Sequence, residues 1–486
     1  MSETARISGL SGRANAPRGV QWRTALPGWT LVVLLVAAFA MGGGARGDIV
    51  SLISLRPLSF VLLGIGLATL RFEHLCANRT AFAIAAGMIA LAALHLVPLG
   101  PEWWHALPGR ELLAAADRLS GAGDVARPLT MNPVAGWNAA YALAAPLAAL
   151  MLAVQLERDL RKRVRHLLIG LGVISAMLGL LQAIGPAKGP LYFYRITNPA
   201  SPVGLFANRN HNAVFLATLL PLLALVATSG RAPVRGKPDR RPLLLSFALG
   251  AGMLIVSVVV VSGSRAGLGA VVAALALLPF VVGVTYRGAW DWLAHRPAGK
   301  TTAAPVPWRL AALVALVAAL ALLFLTAGRE TAFERFAGED SRGPSWALII
   351  GLVRDYLPWG SGLGSFVEVF QIAEPDWHLR QTYLNHAHND LLEVAMTLGL
   401  PGLALIAAVL VGLAAATIRL FRTRRNPAWR EARAALVVLF LLAAGSLVDY
   451  PLRTPALACL FAALVPWLGQ RAVSDEHRTI VRRSGR

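Results

Sequence analysis

PLLLSFALGAGMLIVSVVVVSGSRAGLGAVVAALALLPFVVGVT, residues 242–285, contains two apolar runs, 242–262 and 266–285, parted only by 263–265. Crossing a bilayer takes roughly 20 consecutive apolar residues, and so short a break turns the second run straight back through the membrane. Working outward on hydropathy, the same pattern recurs near 28–42, 57–70, 81–97, 135–155, 167–184, 212–228, 310–327, 399–418, 434–448 and 455–470. The sequence therefore predicts an all-α fold, a polytopic membrane helical bundle of about twelve transmembrane helices in one domain spanning 1–486. A 56% hydrophobic composition and a mean hydropathy of +0.59 agree with this.

Charge fixes the expected orientation. Placing both termini inside puts 31 of the 46 Lys+Arg and 9 of the 25 Asp+Glu in inner segments, which leaves +22 inside and −1 outside. Clusters such as ERDLRKRVRH (157–166), RAPVRGKPDRR (231–241) and RLFRTRRNPAWREAR (419–433) then fall on one side. The net charge of +21 is thereby explained by orientation and by attraction to anionic membrane lipids, and nucleic acid is not needed as a partner. The basic leader with Arg6, Arg13, Arg18 and Arg23 is expected to be an uncleaved signal-anchor, given the spans behind it. With only Cys76 and Cys459, a disulfide framework or a cysteine metal site is not expected.

The external segments are expected at 43–56, 98–134, 185–211, 263–265, 449–454 and, longest, 328–388. A loop far beyond about 15 residues carries structure or function. Within it, RGPSWALIIGLVRDYLPW has apolar residues at helical spacing broken by Arg354 and Asp355, so a short amphipathic helix is expected at the outer face. GSGLGSF (360–366) lacks the βαβ context of a dinucleotide site and reads as a flexible turn.

The densest chemistry is NHAHNDLLEVAMTLGL, residues 385–400. Asp390 and Glu393 suggest a capping-box helix start, and Gly399, Pro401 and Gly402 a stop. His386 and His388 then lie just before a helix N-terminus at the membrane edge, where phosphate is favoured and imidazolium is not. A neutral histidine there suits a general base; a histidine bonded to a carbonyl, or a His-x-His metal ligand, are the plainer and the rarer alternatives. Arg265, beside Ser262 and Ser264, is too near the hydrocarbon to be placed without snorkelling, an anion or a polar cavity. YRITNPASPVGLFANRNHNAVFL adds Arg195, Asn208, Arg209, Asn210, His211 and Asn212, and SRGPSW adds Arg342 and Trp346, an interfacial anchor or a sugar platform. External arginines with one poised histidine describe a site for a large anion such as a lipid-linked pyrophosphate.

These residues resemble the O-antigen ligase and polymerase superfamily of bacterial inner-membrane glycosyltransferases, over about 190–450. The signature is His, then Asn, Ser or Gln, nine residues, Gly, two residues, and Gly, Thr or Tyr; here it reads His388, Asn389, Gly399 and Gly402. GLFANRNHNAVFL, SGSRAG and the 342–366 segment are also similar to family segments. The resemblance implies that His388 is catalytic and that Arg265, with Arg195 or Arg209, holds the pyrophosphate of an undecaprenyl-pyrophosphate-linked glycan. His386, Asn389, Arg342 and Asn210 are supporting candidates. It implies no metal and no cofactor, an inner-membrane location with the site on the periplasmic face, and an acceptor that is lipid A core for a ligase or another lipid-linked repeat for a polymerase. An exopolysaccharide polymerase, a protein O-oligosaccharyltransferase and, from another class, a twelve-span transporter are the rival readings.

Overall fold

The computed structural model describes residues 18–228, 239–283, 342–379 and 382–469. Among these, eight helices are long and apolar enough to span a membrane. With α1 (Arg18–Met41) preceding them, they are α2 (Leu52–Thr69), α3 (Arg79–Leu96), α4 (Pro133–Ala153), α5 (Arg158–Ile184), α6 (Arg209–Ala227), α7 (Arg241–Ser262), α8 (Arg265–Val282) and, after α9 (Arg342–Tyr356), α10 (Asp390–Arg422). The expected spans at 28–42 and 455–470 appear as the shorter apolar helices Ala25–Met41 and Pro455–Leu468, and that at 434–448 as α11 (Arg430–Gly445). The span expected at 310–327 lies outside the described residues.

The bundle is organised around α6. Its apolar window is 83% buried, against 22–39% for the other spanning candidates, whose outer faces are left for lipid. Small residues allow the close approach: a Cβ on Gly172 of α5 would meet Leu219 at 1.8 Å, and one on Gly267 of α8 would meet Ala213 at 2.3 Å. Such contacts matter because lipid is as apolar as leucine, so helices in a membrane associate through packing rather than through escape from water.

The expected external segments meet at one end of the bundle. Ala207 N–H donates to Gly43 O, Ala456 N–H to Gly42 O, Asp390 N–H to Ser446 O and Met131 N–H to Ser361 O. The 98–134 segment is folded, with short helices Pro101–His105 and Glu111–Ser120 and a two-residue antiparallel ladder between Pro98–Leu99 and Arg127–Pro128. The fully buried Arg110 donates to Leu129 O at 2.9 Å and Gly360 O at 3.2 Å, between the rings of Trp104 and Tyr356.

That contact corrects one expectation. GSGLGSF is not a loose turn, because Ser361 N–H and Gly362 N–H donate to Met396 O and Thr397 O, and Leu363 N–H donates to His95 Nδ1 at 3.1 Å. The turn braces a break in α10 at Gly399, whose φ of 59° and ψ of −150° lie outside the helical region. Only glycine fits there, since a Cβ would stand 2.1 Å from Pro358 O.

Candidate active site

His388 has φ +51°, a left-handed backbone unusual for a non-glycine residue, and Asn389 returns the chain to extended geometry before the helix. Asn389 Oδ1 accepts from Leu392 N–H at 3.1 Å, so the cap is Asn389. The capping box expected from Asp390 and Glu393 does not form. Both carboxylates turn instead to Arg453, at 2.7 Å (Nε to Asp390 Oδ1) and 2.9 Å (Nη1 to Glu393 Oε1), because buried charges need a counter-charge more than a helix end needs a second cap.

The imidazole of His388 meets Asp449 across this surface, Nδ1 to Oδ1 at 3.1 Å. Asp449 is 1% exposed and also accepts from Asn210 Nδ2 at 2.7 Å and from Tyr450 N–H at 3.0 Å. The Nε2 of His211 lies 3.7 Å from the same oxygen, beyond hydrogen-bond range. Burial pushes the Asp449 carboxyl up, but the imidazoles of His211 and His388 outweigh it and hold the group well below the usual carboxylate range. A carboxylate only accepts, so Nδ1 of His388 carries a proton in this contact, and in the neutral ring Nε2 is the nitrogen that bears the lone pair.

A second network holds His386, whose Nδ1 lies 3.0 Å from Glu393 Oε1, while Glu393 Oε2 accepts from Ala387 N–H at 2.9 Å. The two histidines thus engage different carboxylates. Tyr450 packs among three imidazoles, its ring centroid 4.5 Å from His386, 4.8 Å from His388 and 4.9 Å from His211. Burial, and then the charge of Asp449, push its phenol up and keep it neutral. Of the three histidines His388 is the most open, with its side chain 24% exposed. Trp346, expected as a membrane anchor or sugar platform, donates its indole N–H to Ala387 O at 2.8 Å and so ties α9 to the histidine loop.

The arginines separate. Arg209 is the first residue of α6, next to the Asn210 that binds Asp449. Arg265 is exposed at the first residue of α8, where the Ser264 side chain accepts from Gly267 N–H at 3.0 Å. Because Gly267 abuts Ala213, Arg209 and Arg265 open neighbouring helices at the same end as Asp449. Arg195 is 87% exposed and faces Asp48 at 3.9 Å, and Asp48 is also gripped by Arg46 at 2.9 Å. Arg342 begins α9, and its side chain lies outside the described residues.

Sequence reasoning passed over Asp449, Tyr450 and Arg453, in what reads as a minimal connection between two apolar runs. The signal was present: charges in VDYPLRT are as costly beside the hydrocarbon as Arg265 is, and the same rule would have marked them.

The fold and site define a helical membrane protein with a carboxylate-oriented histidine and arginine-bearing helix ends at one mouth of its bundle. Residues 250–407, which include Arg265, the histidine loop and Gly399, match the family model described as O-Antigen ligase. The match supports the O-antigen ligase superfamily for this stretch and a ligase- or polymerase-type function in general. A comparison with curated proteins found no match.

Proposed function

We propose that the protein is a glycosyltransferase that moves a glycan from an undecaprenyl-pyrophosphate donor to a sugar hydroxyl at the periplasmic face of the bacterial inner membrane, its termini in the cytoplasm. The observation that carries this reading is the His388–Asp449 contact, which leaves one imidazole nitrogen as a base at an open position. His388 Nε2 takes the acceptor hydroxyl proton as that oxygen bonds to the anomeric carbon. The bond from this carbon to the pyrophosphate breaks, the lipid pyrophosphate departs with the electron pair, and displacement from the opposite face inverts the centre. Asp449 stabilises the imidazolium formed, and Arg265 with Arg209 neutralises the charge growing on the leaving group. Arg209 takes precedence over Arg195 because of its adjacency to Asn210 and Asp449.

The test is transfer from purified lipid-linked glycan by wild type and by His388→Ala. Turnover unchanged in the variant removes the assignment. The surface-polysaccharide profile of a deletion strain separates the acceptors: long chains made but left unattached indicate a ligase, and single repeats a polymerase. A single cysteine at position 388 that labels only from the cytosol refutes the orientation.

A further inference from the structure

At the far end of α5 from the loop that carries Arg195, three arginines lie within two turns. Arg161 and Arg165 are only 7% and 5% exposed, and Arg158 is half-buried. One carboxylate faces them among the described residues: Glu431 of α11, 3.2 Å from Arg165 Nη1. Asp159 is engaged outside by Lys162 at 2.8 Å, and Glu157 is exposed. Buried N–H groups on all three guanidiniums, Arg158 Nη2, Arg161 Nε and Arg165 Nε, have no hydrogen-bond acceptor. Buried guanidinium donors without acceptors are costly, and a cluster of three cations around one anion leaves a local excess of two positive charges. Helix α5 begins here with no side-chain cap, so its first-turn N–H groups add to the same field.

The depth of the cluster identifies the ligand's source. Trp29 of α1, 51% exposed, lies under the guanidinium of Arg163 at 5.3 Å, and Phe421 lies under Arg424 at 4.7 Å at the same end. Half-exposed tryptophan beside arginine is the signature of the headgroup layer. An oxyanion there comes from phospholipid, and the planar guanidinium fork matches it. We propose that Arg158, Arg161 and Arg165 form a site for the phosphate of a membrane phospholipid, at the end of the bundle opposite His388. Helix α5, of 27 residues, separates the two ends by roughly 40 Å, so the site is structural to the bundle and independent of glycan transfer.

Thermal unfolding of the delipidated full chain in detergent tests this, with short-chain phosphatidylglycerol, short-chain diacylglycerol and sodium phosphate as titrants. Phosphatidylglycerol is expected to raise the midpoint saturably, and diacylglycerol to leave it unmoved. An equal rise from sodium phosphate at the same concentration overturns the lipid as occupant, and no saturable rise overturns the site. Arg158→Gln, at the most open position, is expected to weaken the titration about tenfold, and Arg161→Lys to weaken it less than Arg161→Met. Glu431→Gln, which removes the competing carboxylate, is expected to tighten it, a change that simple destabilisation does not produce. A Glu431→Gln midpoint concentration equal to or weaker than wild type, or an unaltered one in Arg158→Gln, refutes the proposal.

Discussion

Replacing Asp449 by Asn isolates the contact on which the proposed chemistry rests. The substitution keeps volume and shape, and a flip of the Asn210 amide restores the bond that Asp449 Oδ2 accepts at 2.7 Å. What it removes is one negative charge 3.1 Å from His388 Nδ1. A charge-assisted hydrogen bond contributes about 1.5–3 kcal/mol, and an ion pair near 4 Å at an effective dielectric of 20 contributes about 4 kcal/mol. At about 1.4 kcal/mol per tenfold, kcat is expected to fall between about tenfold and about a thousandfold, with KM for the lipid donor nearly unchanged. The assay is single-turnover transfer from purified lipid-linked glycan in detergent, run beside His388→Ala and the double variant. Since Asp449 acts through His388, the double variant is expected to match His388→Ala. An Asp449→Asn enzyme within twofold of wild type, or a double variant slower than His388→Ala by the full single effect, refutes the reasoning. Stability carries a second signature. A carboxyl depressed on folding stabilises above its unfolded value near 3.9, and that contribution disappears as pH falls through the lower folded value. Wild type is therefore expected to lose its advantage over Asp449→Asn below about pH 4, read as a convergence of their melting temperatures.

The arginine choice is tested by parallel alanine variants: Arg209→Ala is expected to lower transfer about a hundredfold and Arg195→Ala less than about threefold, measured as kcat/KM for the donor. Gly399→Ala places a methyl 2.1 Å from Pro358 O, and is expected to lower the yield of folded protein on size-exclusion chromatography or the melting temperature by several degrees. Arg453→Met leaves Asp390 and Glu393 without their shared cation, a loss of about 3–5 kcal/mol in denaturant unfolding.

The eight long apolar helices were legible because apolar runs of fixed length are a one-dimensional signal. The run read at 242–262 appears as α7, and the described part of the run read at 266–285 as α8, around the hairpin read from SGSR. A helix start within one residue of Asp390 and the break at Gly399 were legible for a related reason, since a helix start and stop are local. The partner of His388 was not. Asp449 lies 61 residues away, and nothing in periodicity pairs a loop aspartate with a distant imidazole. The capping box at Asp390 failed for the same cause: local geometry favoured it, but Arg453, 63 residues on, offered a stronger bond. GSGLGSF misled because glycines that permit unusual backbone angles look identical whether they supply looseness or tight bracing, and Arg110 decides between the two from another loop.

The nine residues between Asn389 and Gly399 also acquire a mechanical meaning. They form a separate helical peg of about two and a half turns, fixed at its foot by the Pro358–Gly362 brace and bearing the histidine on its head. A peg of set length fixes bearing as well as height: one residue added or removed swings its head through about 100° and turns the imidazole away from its carboxylate. The interval therefore serves as a gauge, in which the number of residues sets the aim of the imidazole and the side chains along it matter less.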